Sequence, residues 1–167
     1  MNNDIYAEWL VKRKPAPYAI PLKLLMIVFL VSSFLFIMLV PSIGCLLFLI
    51  ACAVAYFGFR WLDVEYEYIF VTSELSIDRI LGRQKRKRLI VIDVNQMEIM
   101  APMEAHELEG FKNNPNVKKV DFSSGKAEAR TYGIYYPGEG GKKLYIIEPN
   151  DQILKAIRGV VPRKMIL

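Results

Sequence analysis

Leu24–Phe59, read as LLMIVFLVSSFLFIMLV PS IGCLLFLIACAVAYFGF, holds 36 residues without one Asp, Glu, Lys or Arg. Pro41-Ser42 divides it into two runs of 17, Leu24–Val40 and Ile43–Phe59. At about 1.5 Å per residue each run makes a helix of roughly 25 Å, close to the ~27–30 Å hydrocarbon core of a bilayer. A soluble helix of that length shows a polar stripe, and neither run has one. The expectation is an integral membrane protein in three parts: an N-terminal segment at 1–18, a two-helix hairpin at 19–62 and a domain at 63–167.

Lys12, Arg13, Lys14 and Lys23 precede the first run, Arg60 and a dense basic run follow the second, and the connecting turn is uncharged. Positive charge collects on the cytoplasmic side, so a multi-pass protein of the cell membrane with both termini cytoplasmic is expected. The basic Lys12-Arg13-Lys14 also fits a signal peptide, but the chain returns at once to apolar sequence after Pro41-Ser42, which favours a hairpin. Tyr18, Tyr56 and Trp61 fall where interfacial aromatics anchor such helices. In the second run Gly44, Ala51, Ala55 and Gly58 make a smooth helical face for close packing, against the first helix or against a partner. Cys45 and Cys52 lie two helical turns apart, too far to bridge, and read as small apolar residues.

The bulk composition agrees. A chain of 167 residues, 53% hydrophobic, with net charge +5 and mean hydropathy +0.24, suits a membrane segment joined to one compact domain of about 100 residues. Before the hairpin, Asp4 suits the cap of a short helix carrying Ile5 and Trp9, lying among headgroups or docked on the domain.

From Val64 the texture becomes short alternating runs between turn residues, the pattern of antiparallel sheet. Strands are expected at 64–70, 75–81, 89–94, 97–101, 117–122, 130–136 and 143–147. In the first of these Val64, Tyr66, Tyr68 and Phe70 alternate with Glu65 and Glu67. Gly82 permits the second reversal, Ser123-Ser124-Gly125 and Pro137-Gly138-Glu139-Gly140-Gly141 later ones. Pro102–Asn116 is too long for a hairpin connection and implies a helical turn or an ordered loop. Asn150 suits an N-cap, Ile153, Leu154, Ile157, Val160 and Val161 form an apolar stripe, and Pro162 stops the helix. The fold class expected is a membrane α-helical hairpin with a mainly-β cytoplasmic domain: seven antiparallel strands in a partly open barrel, its open end plugged by the C-terminal helix.

Seven antiparallel strands and a capping helix after a membrane hairpin resemble the bacterial pleckstrin-homology-like (PH-like) domains of small membrane proteins. Tyr68-Ile69-Phe70-Val71-Thr72, Glu74-Leu75-Ser76-Ile77 and Arg79-Ile80-Leu81-Gly82-Arg83 look like the opening strands of that group. The whole chain is also similar to a Firmicutes two-helix membrane protein family catalogued as a domain of unknown function. Asp4-Ile5-Tyr6, Val11-Lys12-Arg13-Lys14, Glu65-Tyr66-Glu67-Tyr68, Lys85-Arg86-Lys87-Arg88, Met97-Glu98-Ile99-Met100-Ala101-Pro102, Val120-Asp121-Phe122-Ser123-Ser124-Gly125-Lys126 and Pro162-Arg163-Lys164 carry that likeness. The resemblance implies a binding role and assigns no activity. Eukaryotic PH domains often hold phosphoinositides through basic residues of the first hairpin loop; here that turn is Thr72-Ser73-Glu74, with none.

Arg83, Lys85, Arg86, Lys87 and Arg88 put five cations into six positions at the second reversal. The hairpin should return them beside Val64, close to the membrane helix, where anionic headgroups attract each basic residue by about 1 kcal/mol. Two accounts stand open: a lipid-facing clamp, or a solvated turn that only sets topology. No aromatic or groove-reading element accompanies the charges, so no nucleic-acid partner is expected. Neither a metal nor another cofactor is expected: His106 is the single histidine, among Glu104, Glu107 and Glu109, which read as a solvated face. No nucleophile with a base can be placed, and Gly138-Glu139-Gly140-Gly141 lacks a phosphate-loop ending, so no enzyme is expected. The function expected is a noncatalytic membrane-anchored binding or scaffold module with an unknown protein partner. The alternative is an accessory subunit of a larger membrane complex, contacting it through Gly44, Ala51, Ala55 and Gly58.

Overall fold

Two long apolar helices dominate the first third of the computed structural model, which describes residues 6–138 and 141–166. Helix α1 spans Ala19–Leu39 and α2 spans Pro41–Leu62, hinged at Val40. Pro41 sits at the first position of α2, where a missing amide proton costs nothing. Both helices are long and apolar enough to cross a membrane, and among the residues of α1 only Ala19 and Ser33 are buried. Leu24, Leu25, Phe34, Leu35, Leu46, Leu49 and Phe57 are exposed, an apolar surface far beyond that of a soluble monomer. Ser32 and Ser33 satisfy their hydroxyls within α1, donating to the carbonyls of Val28 (2.8 Å) and Leu30 (2.9 Å).

The remaining chain builds two four-stranded sheets. Strands β1 (Tyr6–Lys12), β2 (Val64–Val71), β3 (Glu74–Leu81) and β4 (Lys85–Asp93) form one in the order β1-β2-β3-β4. Strands β5 (Ile99–Pro102), β6 (Lys118–Asp121), β7 (Tyr132–Gly138) and β8 (Gly141–Ile147) form the other in the order β5-β7-β8-β6. The β7–β8 hairpin is antiparallel, with Ile134 opposite Tyr145, and β5 joins it with Met100 opposite Ile134. Beyond β5, Met165 bridges Met100, and the Ile166 amide donates to the Met100 carbonyl at 2.8 Å.

Two compact units result. One holds Lys14–Glu65 and Ile80–Arg86, that is, the helical hairpin with the start of β2 and the reversal between β3 and β4. The other holds, among the described residues, those of 6–13, 66–79 and 87–166. In this second unit Tyr68, Phe70, Leu75, Ile77, Ile92, Met100, Ile134, Leu144 and Ile147 are fully buried. Helix α4 (Asp151–Val160) is capped as expected: the Asn150 side-chain oxygen accepts from the Ile153 amide at 2.9 Å. Its Ile153, Leu154, Ala156 and Ile157 are buried, and the helix packs on β1.

The expected architecture is corrected in three respects. Among the described residues eight strands in two sheets replace seven strands of a partly open barrel, and the extra one, β1, occupies the segment where a short helix was expected. Its buried residues, Ala7 and Val11, stand four apart, a spacing that suits a helix as well as a strand. Asp4 and Ile5 lie outside the described residues, as do Glu139 and Gly140 of the later reversal. Second, β6 runs parallel to β8, Val120 opposite Tyr145. The long crossover between them contains β7, which gives the chain room to arrive in the same direction. Third, β4 begins at Lys85 rather than Leu89, so the basic run is mostly strand. The two helices together run from Ala19 to Leu62, beyond the uncharged stretch at both ends.

The Pro102–Asn116 segment is ordered, as expected, with a 3₁₀ turn at His106–Leu108 leading into the single turn α3 (Glu109–Lys112). Leu108 is fully buried with Ala101, Val117, Tyr135 and Leu144, and the Phe111 ring stacks on Tyr135 at 4.0 Å between centroids. Lys112 closes the segment by donating to the Met103 carbonyl.

Candidate functional site

Gly82 and Arg83 turn the chain between β3 and β4 with φ of +54° and +57°. The Gly82 amide donates to the Asp63 carbonyl at 2.9 Å, directly after the last residue of α2. A Cβ at Gly82 would stand 2.9 Å from Cβ and Cγ of Arg60, so the turn is seated against the end of that helix. The basic run is thereby held at the end of the apolar hairpin, within one compact unit as far as Arg86.

The five cations are not equivalent. Arg83 Nε stands 3.7 Å from Glu65 Oε1, whose side chain is 8% exposed, and Arg88 Nε stands 3.3 Å from Asp78 Oδ1, whose side chain is 4% exposed. Glu65, Glu67 and Asp78 are all buried, although alternation along the strand suggests one apolar and one charged, open face. A buried carboxylate needs a counter-charge, and these two arginines supply it from exposed positions. Along β4 alternate side chains point to opposite faces, which sets Lys85 and Lys87 against Arg86 and Arg88. Lys85 and Lys87 are exposed and pair with none of the described residues.

In α2, Ala51 and Ala55 are buried. A Cβ on Gly44 would lie 2.5 Å from the Ile37 Cα, and one on Gly58 would lie 2.3 Å from the Met26 Cε. The small-residue face is therefore filled by α1 of the same chain. At the end of α2, Arg60 donates to the Tyr56 hydroxyl at 2.8 Å, with its guanidinium 5.3 Å from that ring's centroid. Cys45 and Cys52 are free thiols.

His106 Nδ1 stands 2.9 Å from Glu109 Oε2 on an open surface, and among the described residues no group of three His, Cys, Asp or Glu is placed to hold a metal. Sequence reasoning missed the buried carboxylates, because alternation along one strand does not show which of its charged positions the rest of the fold covers.

An apolar helical pair, a two-sheet β domain and a C-terminal helix packed on it define a PH-like module with a candidate membrane anchor. The chain belongs to the family described as Bacterial PH-like domain (DUF6106), whose profile matches residues 3–167. No curated protein and no solved structure gives a significant match.

Proposed function

We propose that the chain is a noncatalytic, membrane-anchored binding or scaffold module at the inner face of the cell membrane, with Lys85 and Lys87 facing anionic lipid. The observation that carries this reading is the Gly82–Asp63 hydrogen bond, which ties the basic reversal to the end of α2. Lys12, Arg13, Lys14, Lys23 and Arg60 flank the hairpin while its turn is uncharged, which supports cytoplasmic termini. Arg83 and Arg88 are engaged with buried carboxylates, so the lipid attraction falls to the two lysines, at about 1 kcal/mol each and within a Debye length of the surface. The PH-like family supports a binding role rather than catalysis. An accessory-subunit role would need a surface other than Gly44, Ala51, Ala55 and Gly58, which α1 covers.

The test is amine acylation of the full chain in nanodiscs, read by mass spectrometry at each lysine. Lys85 and Lys87 should react several-fold more slowly in discs containing phosphatidylserine than in neutral discs at low salt, with the difference erased at high salt, while the exposed Lys118 stays unchanged. Equal rates in both discs would remove the lipid contact from the reading.

A further inference from the structure

Arg130, Asp151, Leu154, Lys155 and Arg158 line an open hollow of about 210 Å³ in the second unit. The Asn150 cap fixes the start of α4, which stacks Asp151, Lys155 and Arg158 on successive turns of its exposed face. Arg130 enters from the loop before β7. Its guanidinium carbon lies 5.7 Å from the centroid of Tyr132, a fully buried ring that gives the charged head a rigid seat. None of Arg130, Lys155 and Arg158 forms an ion pair or hydrogen bond with a described residue, although Asp151 lies one turn before Lys155. Elsewhere in the chain Arg83 and Arg88 each hold a carboxylate. Here three cations less one carboxylate leave a charge of 3 − 1 = +2 around one hollow.

We propose that this hollow binds a phosphate monoester. Such a group carries about −1.5 to −2 at pH 7 and three strong acceptor oxygens, which matches the unbalanced charge. Two guanidinium forks can each offer paired N–H donors to those oxygens, and Lys155 adds a point charge. Leu154 leaves an apolar wall for the organic part of the ligand. A single carboxylate would neutralise only half of the charge. The site is separate from Lys85 and Lys87 and stands whether or not those lysines meet lipid.

The experiment uses the full chain in neutral nanodiscs and follows acylation of Lys155, with Lys118 as the exposed reference. Phenyl phosphate and inorganic phosphate should slow Lys155 several-fold without affecting Lys118, and benzoate should need about tenfold more ligand. Arg130→Gln and Arg158→Gln, both at exposed positions, should each raise the phosphate concentration required by roughly tenfold. Protection should weaken as pH falls through about 6, where the monoester loses its second charge. Nanodiscs containing phosphatidate separate the sources: protection only by that lipid assigns the monoester to a headgroup, and protection by phenyl phosphate assigns it to a soluble ligand. Absence of protection by all three, or protection that survives both substitutions, overturns the site.

Discussion

The Tyr68 hydroxyl donates to the Phe122 carbonyl at 2.7 Å and accepts from the Glu148 amide at 3.3 Å. One side chain of β2 thus joins the first sheet to the ends of β6 and β8 in the second. Phe122 adds ring contacts on both sides, edge-on to Tyr66 at 5.6 Å and stacked with Tyr145 at 6.0 Å. Burial leaves the Tyr68 hydroxyl far harder to ionise than a free phenol; the Glu148 charge adds to this, and the hydrogen bond from the Glu148 amide opposes it only in part.

Tyr68→Phe strands two backbone groups in the core and should cost about 1–3 kcal/mol, read by chemical denaturation of the full chain in detergent. The pH dependence follows from the raised value. Above the ordinary tyrosine value of about 10 the unfolded chain loses this proton while the folded chain keeps it, so unfolding is favoured as pH rises. The stability linked to Tyr68 is therefore complete below about pH 10 and declines above it. Tyr68→Phe should flatten that decline, and an unchanged slope would locate it elsewhere.

Gly82→Ala should destabilise the protein by about 1–2 kcal/mol from the left-handed backbone alone. The added methyl also meets Arg60. Thermal unfolding in detergent should show the loss, and hydrogen exchange should show the Gly82 reversal opening before α4 does.

Ala51→Leu and Gly44→Ala overpack the face covered by α1 and should each cost about 1–3 kcal/mol. Particle size in detergent should stay constant while the melting temperature falls. A change in size without a loss of stability would place a partner on this face instead.

Leu108→Ala should cost about 2–5 kcal/mol, because Leu108 fills the space over Gly133, where a Cβ would stand 2.8 Å from its Cδ1. Such a loss, measured by denaturation, would identify the Pro102–Asn116 segment as a packed part of the domain.

A chain beginning at Asp63 lacks β1, with its buried Ala7 and Val11, and exposes the edge of β2 and the flank of α4. It should be less soluble and exchange amide protons of Tyr66–Val71 faster than the full chain. Equal protection would show β1 to be dispensable.

The apolar hairpin was legible in the sequence because membrane-length helices depend on local composition, and 36 uncharged residues permit few alternatives. The Asn150 cap, the stripe of α4 and the β2–β3 hairpin were legible for the same reason: each is set by residues within a few positions of one another. Tertiary structure decided what those elements meet. Ala7 and Val11 show a helical spacing until β2, more than fifty positions away, offers β1 a hydrogen-bonding edge. The period of two in β6 names its faces but not its neighbour, so its parallel seat beside β8 was invisible. Glu65 and Asp78 became buried, and Arg83 and Arg88 their partners, only when β2, β3 and β4 were laid side by side. Arg130 likewise reaches Lys155 and Arg158 only across the folded domain. Local periodicity determines which residues face inward; the closure of long loops determines which residues they face.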